Sequence, residues 1–156
     1  MDKTQFFDQL VQALREEVLH AFEASKDAAD YATDDESRAE SKWDTQGLEA
    51  SYLAAGQASQ ARQWAQAVED LYSNRKVLLA KKSNVSLGAL FTCDLDGSEE
   101  IFFFSSVAGG QVISMNGQEV TVITAQSPLA GHLLGLKAGD GFTLSNGRPG
   151  KILVIT

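Results

Sequence analysis

The chain has one cysteine, Cys93, and two prolines among its 156 residues. A lone cysteine excludes an intramolecular disulfide and suits a reducing compartment, so a cytoplasmic protein is expected. No apolar run approaches the roughly 20 residues that a membrane-spanning helix requires. The opening stretch MDKTQFFDQLVQALREE is acidic and amphipathic, unlike a signal peptide with its basic start and apolar core. Bases are scarce as well, 13 Lys and Arg against 21 Asp and Glu. Nucleic-acid binders need a positive footprint, so no direct sequence-specific contact with DNA or RNA is expected. Work near a nucleic acid would pass through a basic protein partner. Phosphate loops, Gly-x-Ser-x-Gly elbows and zinc-ligand spacings are all missing.

What is present divides into two textures. From Lys3 to about Ala32, Phe7, Leu10, Leu14, Val18 and Ala21 recur at steps of three and four, widened by Phe6, Val11, Leu19 and Phe22. That spacing predicts an amphipathic helix, uninterrupted by proline or glycine. A second helical pattern runs from roughly Ser37 to Leu78, with Leu48, Tyr52, Ala55, Ala61, Trp64, Ala65, Val68, Leu71 and Tyr72 on its apolar side. Its middle, SYLAAGQASQA, is dominated by small side chains, which predicts a neighbouring backbone in close approach, and Gly56 there costs about 1 kcal/mol relative to alanine. Two such helices joined by a short polar turn pair antiparallel, and the first would be ~45 Å long. A protruding coiled-coil hairpin over residues 1–80 is the expectation.

The turn of that hairpin concentrates negative charge. Seven of the eighteen residues from Asp27 to Asp44 are carboxylates, against two bases. Residues 1–80 carry 15 acids and 8 bases, whereas 81–156 carry 6 and 5, so the imbalance belongs to the helical half. Thr33-x-x-Glu36 and Ser37-x-x-Glu40 both fit the capping box. Acids at a helix start complement its dipole, which accounts for one or two carboxylates but not for seven. Starting the helix after Ser37 places Glu40 and Asp44 on one face with Glu36 just before them, and Asp34 and Asp35 extend the group. These residues could offer oxygens to a divalent ion, since magnesium needs only one or two protein carboxylates when other ligands come from elsewhere. Trp43 beside them is a candidate contact residue, or a cap on the coiled-coil core.

After Ala80 the pattern changes to short β-rich runs: VSLGALFTCDL, EEIFFFSSV, QVISM, EVTVIT, GFTL and KILVIT. Asp96-Gly97, Gly109-Gly110, Asn116-Gly117 and Asn146-Gly147 separate them and supply the positive φ that tight turns require. Ser127-Pro-Leu-Ala-Gly-His-Leu-Leu-Gly135 reads as one short helix, with serine as N-cap, proline at the first helical position and glycine at the stop. The expected domain, 81–156, is an antiparallel sheet of five or six strands with one helix. His20 and His132 lack metal-spaced neighbours and read as surface or packing residues, and Cys93 reads as core. At least one of Phe102, Phe103 and Phe104 is expected to face outward.

The stretch Val122-Ile-Thr-Ala-Gln-Ser-Pro-Leu-Ala-Gly-His-Leu-Leu-Gly-Leu-Lys-Ala-Gly-Asp140 resembles the C-terminal domain of the Gre-type transcript cleavage factors of bacterial RNA polymerase. Val85-Ser-Leu-Gly-Ala-Leu is similar to the strand that opens that domain. More weakly, the resemblance covers the whole chain: an α+β protein with a helical hairpin followed by an FKBP-like sheet domain. It implies a transcription elongation factor that is not itself an enzyme. Its globular domain would dock on RNA polymerase, here through Gln126, Ser127 and Pro128, and its hairpin would enter the secondary channel. There the tip acids would share a magnesium ion with the polymerase and complete its site for cutting backtracked RNA. The family tip reads Gly-Asp-x-x-Glu-Asn. Aligning it here puts Ser41 at the first acid and Asp44 at the second, with Glu40 one residue earlier. Two versions follow, one that aids cleavage and one that only occupies the channel, and Ser41 favours the second. No membrane partner and a monomer are expected.

Two other classes compete. An FKBP-like sheet with a helical arm could be a peptidyl-prolyl isomerase or chaperone, but the sheet half holds only five aromatics, all phenylalanine, to line a proline pocket. A coiled-coil adaptor binding some other basic protein is the third reading.

Overall fold

The computed structural model describes residues 1–33 and 46–156, with side chains described over 1–30 and 48–156. Its elements are α1 (Lys3–Thr33), α2 (Gln46–Ser73), α3 (Arg75–Leu79), β1 (Leu90–Leu95), β2 (Ser98–Phe104), β3 (Val112–Met115), β4 (Gln118–Ile123), α4 (Ala130–Leu133), β5 (Gly141–Thr143) and β6 (Pro149–Ile155). A helical hairpin is thus followed by a six-stranded sheet and a short helix. By its contacts the chain divides into two units, Gln12–Val68 and Met1–Val11 together with Glu69–Thr156.

In the first unit, α1 and α2 meet along a seam of small residues. Ala21, Ala28, Ala50, Ala61 and Ala67 are buried there, with Leu14 and Val68. The Ser25 hydroxyl donates to the Ala54 carbonyl at 3.0 Å, so the close backbone approach falls at Ala54. Gly56 itself has open space where a Cβ would lie, so the close approach predicted for this small-residue stretch is made at Ala54 and not at the glycine. Leu48 and Tyr52 are also exposed rather than inward, as is Leu53. Ala50 sets the inward face, and positions 48 and 52 stand more than half a turn round the helix from it. Leu19 and Phe22 of α1 are exposed too. A seam this narrow has no room for large side chains.

The second unit begins with Asp2, whose Oδ1 accepts the Thr4 amide at 2.8 Å and so caps the start of α1. The apolar repeat then buries Phe6, Phe7, Leu10 and Val11. Burial of such side chains contributes about 1.5–3 kcal/mol each. The second helical pattern does not run unbroken to Leu78. It stops at Ser73 and resumes at Arg75: Asn74 (φ −98°, ψ 6°) keeps the ladder bond from its amide to the Asp70 carbonyl at 3.1 Å, but its side-chain amide crowds the same carbonyl at 2.9 Å. Asparagine competes with the helical ladder in this way.

The strand order is β3-β4-β2-β1-β6-β5. All but one of the expected strand runs begin within two residues of where the sequence places them, and the exception, VSLGALFTCDL, is strand only from Leu90. Asp96 (φ 58°) with Gly97 (φ 87°) and Asn116 (φ 54°) with Gly117 (φ 77°) make the β1–β2 and β3–β4 turns, as their sequence implies. The sheet is mixed, however, not wholly antiparallel: β2 pairs parallel with β4, Ile101 opposite Val120 through Phe104 opposite Ile123. The segment 105–111, with Ala108 and Gly110 at φ 63° and 90°, carries the chain two strand positions outward, past the place that β4 will take. The β3–β4 hairpin then returns into the gap beside β2, so β3 becomes the edge.

One sheet face forms the core with α4, through Phe91, Cys93, Phe102, Phe104, Ile123, Leu133 and Ile152. Phe103 points to the other face, and there the Phe6 ring lies over it at a centroid separation of 4.9 Å. None of the three phenylalanines is outward-facing, because the first turns of α1 cover the face that alternation exposes.

Candidate docking surface

The Ser-Pro segment is built by a chain of backbone bonds at the end of β4. The Thr124 amide donates to Ser127 Oγ and the Ser127 amide to the Thr124 carbonyl, both at 2.9 Å. The Ala130 amide then bonds the Ser127 carbonyl at 2.9 Å, and α4 begins. Ser127 is therefore not the side-chain N-cap that the sequence suggested. Leu129 occupies that position without a side-chain cap bond, and the hydroxyl is turned back to close the loop on Thr124. The serine thus acts as a positioning residue, with Gln126 and Pro128 on either side of it exposed.

The far end of the motif is fixed as firmly. Gly135 has φ 84°, the left-handed geometry a helix stop demands. Its amide donates to the Val85 carbonyl, and the Val85 amide to the Leu136 carbonyl, each at 2.8 Å. The Lys-Ala-Gly-Asp turn closes through the Lys137 amide on Asp140 Oδ2 at 2.8 Å, and the Asp140 carbonyl accepts from the Ile152 amide at 2.9 Å. The stretch that resembles the Gre-type domain thus shapes one closely bonded connection from β4 towards β6.

Beside Pro128 opens a surface pocket of about 300 Å³, lined by Pro128, Leu129, His132, Leu144, Ser145 and Asn146. Its floor is aliphatic and its rim polar, where His132 Nε2 and Ser145 Oγ are 3.0 Å apart. No Phe, Tyr or Trp ring and no Asp, Glu, Lys or Arg side chain lines it. Such a concavity accepts an uncharged apolar side chain and offers hydrogen bonds at its mouth. The sequence marks Pro128 as part of a motif, whereas Leu144 and Asn146 read only as the end of a strand run and a turn, with nothing local to join them or Ser145 to Pro128. His132, expected to pack or to lie on the surface, is half-buried and does both.

The acidic candidates divide differently. Asp34, Asp35, Glu36, Glu40, Ser41, Trp43 and Asp44 lie outside the described residues. Among the described residues, no three His, Cys, Asp or Glu side chains are grouped to hold a metal ion. Asp27 and Asp30 are exposed on the last turns of α1, and Glu49 on the first turn of α2. No helix among the described residues is long and apolar enough to cross a membrane.

No protein-family model matches the chain. No curated protein matches it either. Among solved structures, it is similar to the GreA factor homolog 1 (Gfh1) protein of Thermus thermophilus, at 20% identity over 97% of this chain and 93% of that one, with a TM-score of 0.38. A structure of the transcription factor Gfh1 is 22% identical over 96% and 92%, also at 0.38. Gfh1 of Thermus aquaticus is 20% identical over 96% and 92%, at 0.37.

Proposed function

We propose that this protein binds bacterial RNA polymerase through the Gln126–Pro128 turn and the pocket beside it, and that its acidic hairpin enters the secondary channel to modulate transcription. The observation that carries this reading is the agreement between motif and geometry. Residues 122–140, which resemble the Gre-type domain, present an exposed proline at the lip of an apolar pocket. A partner offering an apolar side chain on a protein surface fits that site better than a small charged substrate does.

The helical half supplies charge. Its net of −7 (15 acids, 8 bases) suits a basic channel wall and opposes direct contact with nucleic acid. Magnesium takes hard oxygen donors, and Glu40 and Asp44 would hold an ion shared with the polymerase. That ion would supply polarisation of an attacking water. Ser41 removes the first of the two family acids, so occupation of the channel, without stimulated cleavage, is the version proposed. The aliphatic pocket gives no support to prolyl isomerisation.

Capture of purified core RNA polymerase by the intact chain is the direct test. Binding that weakens about tenfold in Pro128→Asp, with unchanged thermal stability, is expected. Failure to bind core polymerase would return the chain to the adaptor class. Transcript cleavage in stalled complexes then separates the two versions: equal background cleavage by wild type and Asp44→Asn is expected, and stimulation lost in Asp44→Asn would restore the cleavage role.

A further inference from the structure

We infer that Asn116-Gly117 is the site at which this chain spontaneously deamidates in its native state. The sequence has four Asx-Gly pairs, Asp96-Gly97, Asn116-Gly117, Asp140-Gly141 and Asn146-Gly147. Each invites attack of the glycine amide nitrogen on the preceding side-chain carbonyl carbon, since glycine has no Cβ to block the approach. Three of the four are restrained. Asp96 pairs with Arg148 Nε at 3.2 Å, while the Gly97 amide is held by Asp94 Oδ1 at 2.6 Å. Asp140 Oδ2 accepts the Lys137 amide at 2.8 Å. Asn146 Oδ1 accepts the Arg148 amide at 3.1 Å, and its would-be nucleophile, the Gly147 amide, donates to the Leu144 carbonyl at 2.8 Å.

Asn116 differs on both counts. Its side chain is exposed and hydrogen-bonds to no described residue, and neither does the Gly117 amide. Attack forms the Gly117 N–Asn116 Cγ bond and expels ammonia, leaving a succinimide. Water then adds to either carbonyl and gives aspartate or isoaspartate. The isoaspartyl product inserts one more backbone carbon into a two-residue turn whose register, Met115 opposite Gln118, has no slack. It also places a new carboxylate beside Glu119, on the hairpin that forms the sheet edge.

The test follows the intact protein at pH 8 by tryptic peptide mapping. Cleavage after Lys82, Lys137 and Lys151 (the Arg148–Pro149 bond resists trypsin) puts Asn116 and Asn146 on separate peptides, 83–137 and 138–151. Native protein should gain one dalton at residue 116 at least about fivefold faster than at 146, the ratio expected when one site must first break two ordinary hydrogen bonds. In strong denaturant the two rates should converge. Equal native rates, a faster Asn146, or an inert Asn116 in a fold whose denatured form reacts would each overturn the inference. None of these outcomes depends on polymerase binding.

Discussion

The ammonium of Lys3 donates to the carbonyl of Gly88 at 2.9 Å, joining residues 85 positions apart in sequence. It also donates to the Ala80 carbonyl at 2.7 Å, at the C-terminal end of α3, where a cation complements the helix dipole. Lys3 is only 7% exposed. Carbonyl dipoles hold the charge, without a carboxylate partner among the described residues, and Lys82 adds like-charge repulsion. Burial first, and Lys82 second, lower its pKa from 10.5 to about 8.

That shift gives a pH dependence with a definite sign. Between about pH 8 and 10.5 the folded state has released the Lys3 proton while the unfolded chain still holds it. The contribution of Lys3 to stability therefore rises with pH across this window, by at most about 3 kcal/mol, and above about pH 9 the raised pKa of Cys93 acts in the opposite sense. Urea midpoints measured from pH 7.5 to 9, mostly below the range in which Cys93 titrates in the unfolded chain, should climb in the wild type, and the climb should be lost in Lys3→Met.

Gly88 itself tolerates no side chain. Its φ is +86°, and a Cβ there would fall 2.7 Å from both Cα and O of Leu78 and 2.8 Å from the Val77 carbonyl oxygen. Backbone cannot move aside as a side chain can. Gly88→Ala should cost about 3 kcal/mol or more, read as a lowered urea midpoint, whereas Gly110→Ala (φ +90°, open space) should cost only the backbone strain, about 1–2 kcal/mol.

Cys93 should be chemically silent in the native protein. It is fully buried, and burial, with Glu100 and Asp94 nearby, pushes its thiol up to about 12. The thiolate is the reactive species. Ellman's reagent at pH 8 should register no thiol in native protein and one per chain in denaturant. Fast native labelling would show that the core around β1 opens.

Much of this architecture was legible because it depends on near neighbours. Asn116-Gly117 and Asp96-Gly97 specify their turns through their own preference for positive φ. Phe7, Leu10 and Leu14 announce α1 by spacing alone, and Gly135 ends α4 where it should. The candidate site was half visible. Ser127 and Pro128 stood out as a motif, but Leu144, Ser145 and Asn146 reach the same pocket from a turn whose Asn-Gly signal says nothing of a shared site.

The sequence by itself determined where strands, turns and helices fall, since each choice turns on local backbone sterics and on the period of apolar residues. Tertiary structure alone decided which surfaces meet. The parallel pairing of β2 with β4 follows from where the 105–111 segment lands: Ala108 and Gly110 let it turn, but nothing in them says which strand will lie beside β2. Phe103 is covered because Phe6 arrives from the far end of the chain. Lys3 is buried, against its type, because two carbonyls from residues 80 and 88 are brought to meet it. Local preference cannot encode such meetings, because the free energy that fixes them belongs to contacts that exist only once the chain has closed on itself.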